Sequence, residues 1–147
     1  MTSRLVALLR REDGFGPVET AIAVTAVILL IPLMIAFGRM AKANTSVDAA
    51  AFMAARAASI SRTGGEAQGA ADAAAAAQLA QDGVSCDNRS VSVDTSGFGT
   101  EPGQTALVAV SVTCNAELGD LPVPGLPSTK AFTGRYTSVI DTYRGRS

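Results

Sequence analysis

The stretch Gly14-Phe15-Gly16-Pro17-Val18-Glu19 leads directly into TAIAVTAVILLIPLMIAFG, residues 20–38. This second part carries no charged residue over its nineteen positions. As an α-helix that rises about 1.5 Å per residue, it would be roughly 28 Å long, close to the hydrocarbon thickness of a bilayer, about 30 Å. The stretch therefore predicts one membrane-spanning helix over about residues 20–38.

Glu19 stands at the entrance of this apolar segment. An ionised carboxylate costs about 2.5 to 3.5 kcal/mol in the middle of a membrane, and less towards the interface. One interpretation is that Glu19 marks the membrane edge and complements the dipole at the helix N-terminus. The other is that it has a partner, and we favour it because acidic side chains in membrane segments are functional by default.

The leader before this segment is short and contains three arginines in residues 1–14. It resembles the leader of type IV pilin-like precursors, in which a basic leader ends in glycine, phenylalanine often follows, and a glutamate occupies the fifth mature position. Here those residues are Gly14, Phe15 and Glu19. The resemblance implies that a prepilin peptidase cuts after Gly14, and that Glu19 registers one subunit against another by pairing with the new ammonium group of Phe15. Paired charges cost less to bury than lone ones.

Two alternatives to this processing remain open. The sequence Ala41-Lys42-Ala43 fits the small-residue site of a secretory signal, and a cut after Ala43 would release a secreted domain. The apolar segment is longer than the 7 to 15 residues typical of such signals, which disfavours this alternative. The chain could also keep its leader and act as an uncleaved, single-pass cell-surface binding module.

The helical pattern continues beyond the membrane segment. Pro32 lies inside the segment, where its missing N–H predicts a kink. An apolar stripe with helical spacing then runs towards Ser61, so we expect one helix from about Val18 to Ser61 that extends the membrane span into a stalk. The stripe is formed by Val47, Ala50, Ala51, Ala54 and Ala58, with Phe52, Met53 and Ile60 beside it.

A second, alanine-rich helix is expected after Gly64-Gly65, which interrupts the first. Thr63 and Glu66 have the spacing of a capping box, in which the side chain of each residue accepts a hydrogen bond from the backbone N–H of the other. The run from Ala67 to Ala80 follows, since alanine is the strongest helix former. Gly83 suits the C-terminal cap.

The remainder of the chain alternates with a period of two, which predicts three antiparallel strands. Their apolar positions are Val91 and Val93; Val108, Val110, Val112 and Cys114; and Phe132, Tyr136 and Ile140. The prolines between Leu118 and Ser128 exclude a central strand there, so this apolar loop is either a lid on the sheet or a contact surface for another subunit. The expected fold class is α+β.

Cys86 and Cys114 are the two cysteines of the chain. A disulfide between them would stabilise the domain by about 3 to 4 kcal/mol in the chain-entropy model and would place it outside the cytoplasm. The alternative is a pair of buried free thiols. Neither cysteine belongs to a CxxC pair and the chain has no histidine, so no metal site is expected.

Charge and motifs exclude several classes of function. From Asn44 onward ten acidic residues outnumber seven basic ones, which is not the footprint of a nucleic-acid-binding protein. No nucleophile motif, phosphate loop or framed acid pair is present, so we expect no enzyme, no catalytic residue, no cofactor and no small-molecule substrate.

The order of these features resembles TadE-like proteins of the tight-adherence (Flp) pilus assembly system, with similarity in VDAAAFMAARAASISRT (residues 47–63) and SVSVDTSG (residues 90–97). The resemblance implies a pilin-like minor subunit, or pseudopilin, whose partners are the membrane, the prepilin peptidase, other pilin-like subunits and the assembly machinery. Major Flp pilins are shorter and usually carry tyrosine where this chain has Thr20.

The resemblance also implies a domain organisation and a topology. Residues 1–14 form a cleavable leader, residues 15–62 the transmembrane helix and stalk, and residues 63–147 a small extracytoplasmic α+β domain. The protein would lie in the cell membrane with its N-terminus in the cytoplasm.

Overall fold

The computed structural model describes residues 16–101, 103–117 and 128–141. Its elements are helix α1 (Pro17–Ser59), helix α2 (Gly64–Gln81), strand β1 (Cys86–Asp94), a 3-10 turn (Ser96–Gly99), strand β2 (Ala106–Glu117) and strand β3 (Thr129–Ile140). This confirms the expected α+β class. The leader, Phe15 and nearly all of the proline-rich loop (118–127) lie outside the described residues, and so do residues 142–147.

The chain divides after Ile35 into two compact units. The first, up to Ile35, contains most of the apolar segment, residues 20–35. The second, from Ala36 to Ser147, contains the rest of α1, α2 and the sheet.

Helix α1 begins and ends within two residues of the predicted Val18 and Ser61. Pro17 is its first residue, where the fixed φ of proline suits a helix start and its missing N–H costs nothing. The helix includes Pro32, and the kink expected there remains a prediction. Near the C-terminus, the Ser59 hydroxyl donates to the carbonyl of Arg56 at 2.8 Å.

Helix α2 confirms the predicted cap residues Thr63 and Gly83. The Thr63 Oγ1 accepts a hydrogen bond from the backbone N–H of Glu66 at 3.2 Å. The Glu66 carboxylate accepts one from the backbone N–H of Arg62 at 3.1 Å, one residue before the Thr63 N–H that a capping box uses. Gly83 ends the helix in the left-handed region, at φ 65°. Gly64 and Gly65 belong to the first turn of α2, so the interruption lies at residues 60–63 and not at these glycines.

The three strands form an antiparallel meander in the order β1-β2-β3, as predicted. In the turn between β1 and β2, the Asp94 carboxylate accepts a hydrogen bond from the backbone N–H of Ser96 at 3.0 Å, which holds the pKa of Asp94 below its usual range. Cys86 and Cys114 form a disulfide with their Cα atoms 5.4 Å apart. The disulfide alternative is therefore the correct one, and the free-thiol alternative is wrong.

The core lies on one face of the sheet, between alternating side chains of β2 and the small side chains of both helices. Alanine dominates the helical faces, so that the helix backbones can come close to the sheet. The predicted stripe on α1 is buried as expected. The buried residues of this core include Val47, Ala50, Ala51, Ala54 and Ala58 of α1, Ala67, Ala71, Ala75 and Leu79 of α2, and Val108, Val110, Val112 and Cys114 of β2.

Each helix also makes specific contacts with an outer strand. On β1, the backbone carbonyl of Val91 accepts a hydrogen bond from the Gln68 Nε2 of α2 at 2.9 Å. On β3, the Tyr136 ring packs edge-to-face against Phe52 of α1, with ring centroids 4.8 Å apart. Tyr136 stays 44% exposed, whereas Phe132 and Ile140 of the same predicted face are buried.

Gly134 marks the closest approach of α1 to β3. A Cβ atom at this position would lie 2.6 Å from the carbonyl oxygen of Val47 and 2.9 Å from the Cα of Asp48. Both are backbone atoms, which cannot move aside as the end of a flexible side chain can. The glycine is therefore required by the tight packing of α1 on the sheet.

We expect Gly134→Ala to lower the free energy of unfolding by about 1 to 3 kcal/mol, because the added methyl group forces α1 and β3 apart. Thermal unfolding of the full chain in detergent, followed by circular dichroism, measures this loss. Gly69→Ala on α2 is the matched control: a Cβ there meets nothing within 4 Å, and replacing a helical glycine should raise stability by up to about 1 kcal/mol. Equal unfolding temperatures for Gly134→Ala and the unchanged protein would contradict the packing argument.

Candidate functional site: an apolar helix with an acidic entrance

The N-terminal part of α1 exposes its apolar side chains. An 18-residue window of the helix has a mean hydropathy of 2.6, and only 6% of that window is buried. Among its large side chains, Ile28 is 62% and Leu29 67% exposed. A core helix of a soluble protein would be mostly buried, so the exposure favours a helix that faces lipid. By length and composition, the helix can cross a membrane.

Glu19 lies in the first turn of α1, where its backbone N–H donates to the carbonyl of Gly16 at 2.9 Å. Its side chain is exposed. Within residues 16–101, 103–117 and 128–141, no group hydrogen-bonds to or forms an ion pair with its carboxylate. The partner that we predicted for Glu19 is the ammonium group of another subunit, and the geometry of this chain leaves the carboxylate available for one.

A shallow groove of about 650 Å³ follows one side of the same segment. Three of its lining residues are small, and the Thr25 hydroxyl donates to the carbonyl of Ala21 at 2.8 Å, so this polar group is satisfied within the helix. Small residues allow a second helix to approach closely in a membrane. The groove is lined by Val18, Ala21, Ile22, Thr25, Ala26 and Leu29.

The other residues predicted for processing and for the helix kink are Gly14, Phe15 and Pro32. Pro32 is inside the apolar segment of α1, and Gly14 and Phe15 are outside the described residues. The alternative cleavage sequence Ala41-Lys42-Ala43 lies in the middle of α1, and Ala43 is a buried member of the core. A cut after Ala43 would divide a continuous helix where it packs in the core, which disfavours the secreted alternative.

The described part of the chain shows no candidate metal site. No group of three or more histidine, cysteine, aspartate or glutamate residues there could hold a metal ion. The two cysteines are joined to each other.

Residues 16–56 match the model of the TadE-like protein family. Over these residues, somewhat more than a quarter of its length, the chain is similar to TadE-like proteins. The matched region contains Glu19, the apolar segment and most of the part of α1 that packs in the core; α2 and the sheet lie beyond it. No match was found among curated proteins or among solved structures.

TadE-like proteins are non-enzymatic, pilin-like proteins of Tad pilus assembly. The candidate functional part of this chain is therefore the apolar helix with Glu19 at its entrance. Sequence reasoning missed residues that become neighbours only through folding. One is Gly134, which lies against α1. The others are Arg39, Lys42 and Glu117, whose charged side chains line one cavity. The signal available for the two cations was their position just after the uncharged segment.

Replacing Ile28 with lysine should weaken membrane integration of the protein, because lysine near the centre of a span costs about 3 kcal/mol more than isoleucine. Alkaline carbonate extraction of membranes measures the integrated fraction. Ile60→Lys is the matched control, since Ile60 is 64% exposed but follows the end of α1. Equal extraction of the two variants would contradict the assignment of the span.

Proposed function

We propose that this TadE-like protein is a minor pilin-like subunit, a pseudopilin, used in assembling a tight-adherence (Flp) pilus. It is inserted through one transmembrane helix and processed after Gly14. The observation that carries the proposal is the family match, which starts at residue 16 and includes Glu19 together with the complete apolar segment. A glutamate at this distance from a leader glycine is the arrangement that the type IV pilin-like resemblance requires.

A minor role fits the chain better than that of the bulk filament subunit. Thr20 follows Glu19, where major Flp pilins usually carry tyrosine. The chain also carries a disulfide-bonded sheet and a second helix beyond α1, whereas major Flp pilins are much shorter. The extra domain suits a subunit that makes specific contacts in the assembly.

The proposed organisation is a leader over residues 1–14, a span and stalk over residues 15–62, and an extracytoplasmic domain over residues 63–147. The Cys86–Cys114 disulfide supports an extracytoplasmic domain, because disulfides persist in oxidising compartments. The prepilin peptidase then meets the leader on the cytoplasmic side. Pro32 supplies the kink of the span in this proposal.

Glu19 supplies the contact between subunits. After cleavage, Phe15 carries the new N-terminal ammonium group of one subunit, and this group pairs with the Glu19 carboxylate of a neighbouring subunit. In lipid the pair costs much less to bury than either charge alone. This pairing would fix the axial position of each helix, while the small-residue groove that contains Ala21 and Thr25 allows the helices to pack closely.

Co-expression with a prepilin peptidase should yield a mature chain that starts at Phe15, as measured by mass spectrometry of the intact protein. Gly14→Leu should leave the leader attached, because a bulky side chain then adjoins the bond to be cut, and an inactive peptidase serves as the second control. A chain that starts at Asn44 would indicate secretion instead, and one that keeps Met1 would indicate an uncleaved anchor.

Glu19→Gln should leave cleavage intact and reduce piliation, because it keeps the size of the side chain and removes its charge. Counting pili by electron microscopy and determining the mature N-terminus by mass spectrometry separate the two effects. Asp48→Asn is the matched control, an exposed acid on the same helix outside the apolar segment. Piliation equal to that of the unchanged protein would remove the registration role from Glu19.

A further inference from the structure

A cavity of about 360 Å³ lies at one end of the second compact unit, between the middle of α1, the connection from α2 to β1, and the last residues of β2. Arg39 and Lys42 line it from α1, Ser85 from the connection, and Glu117 from β2. Neither the membrane span nor the proposed subunit contact uses these residues.

The two cations act together. Arg39 and Lys42 are three residues apart on one helix, so their side chains are neighbours on the same side of α1. Both are exposed. In the described ranges, neither forms a salt bridge or a hydrogen bond through its side chain. Two unneutralised positive groups therefore point to a ligand with an anionic group that accepts several hydrogen bonds.

Glu117 adds an acidic group to the same cavity. Its carboxylate makes no salt bridge with Arg39, Lys42 or any other described cation. A simple anion would be repelled by this carboxylate, whereas a ligand that also carries a cationic group would be attracted by it. The charges around the cavity thus favour a zwitterion with one phosphate-like end and one ammonium-like end.

The position of the cavity along α1 identifies where such a ligand is found. Arg39 directly follows Gly38, the last residue of the uncharged segment, and Lys42 lies about 6 Å from Gly38 along the helix axis. The polar headgroup region on each side of a bilayer is about 5 to 8 Å thick. With the apolar segment in the hydrocarbon, both cations lie at the depth of the lipid phosphates.

We propose that this cavity binds the phosphoethanolamine headgroup of a membrane lipid. The phosphate diester accepts hydrogen bonds from the guanidinium of Arg39 and the ammonium of Lys42, and its own ammonium group donates to the carboxylate of Glu117. Guanidinium groups match the oxygens of a phosphate, and charge-assisted hydrogen bonds are stronger than neutral ones. The Ser85 hydroxyl, which also lines the cavity, is a further hydrogen-bond donor for the phosphate.

Native mass spectrometry of the full chain in detergent tests this proposal with phosphatidylethanolamine, phosphatidylglycerol and phosphatidylcholine added in turn. We expect the unchanged protein to retain phosphatidylethanolamine at least tenfold more than the others. The double variant Arg39→Gln/Lys42→Gln should retain none of the three above background. Glu117→Gln should lose the preference for phosphatidylethanolamine and retain phosphatidylglycerol instead.

Two control variants are matched to these changes. Arg56→Gln removes an exposed cation from the same helix about 21 Å from Lys42, and Glu101→Gln removes an exposed acid outside the cavity. Both should retain phosphatidylethanolamine as the unchanged protein does. Circular dichroism of every variant shows whether the domain remains folded.

Three results would overturn the proposal. Retention of phosphatidylethanolamine by a folded double variant would mean that the two cations do not hold the lipid. Preference of the unchanged protein for phosphatidylglycerol would exclude a role for Glu117. Binding of free glycerophosphoethanolamine as tightly as the lipid would assign the cavity to a soluble ligand. None of these outcomes depends on cleavage after Gly14.

Discussion

A single unbroken helix must satisfy two different environments, and the rest of the structure depends on this constraint. The N-terminal part of α1 is apolar and exposed among the described residues, as a helix that lies in lipid requires. Beyond Ala43, one side of the helix has to be small enough to lie against a sheet, and alanine meets this requirement. The sequence changes from Ile, Leu and Val to Ala along α1 for this reason.

The alanine face explains other choices in the domain. Alanine buries little area, so that the core depends on close contact more than on large side chains. Gly134 permits that contact with β3, and valines at alternate positions of β2 supply most of the larger volume. The disulfide then contributes about 3 to 4 kcal/mol to a domain with a modest core, by the chain-entropy model.

Local patterns in the sequence predicted most of the elements. These patterns act within a few residues, so that their effects are visible in the local sequence. Examples are the capping residues Thr63 and Glu66, Gly83 after α2, and the alternation in β2. Gly134 could not be recognised in this way, because its constraint comes from Val47, far away in the sequence. The same holds for Arg39 and Glu117, whose shared cavity exists only once β2 has paired and packed. For the candidate site, composition predicted the apolar helix that begins beside Glu19. The partner proposed for Glu19 belongs to another molecule, and no pattern within one chain reports it.

The disulfide has a mechanical consequence for the chain under tension. It links Cys86 at the start of β1 to Cys114 near the end of β2, with a sequence separation of 28. If tension pulls on the two ends of the chain, the covalent link carries the load past the β1-β2 hairpin. At about 3.3 to 3.6 Å per extended residue, roughly 90 to 100 Å of chain is thereby withheld from stretching. The oxidised chain would lengthen much less under load than the reduced one, whatever the strength of its hydrogen bonds.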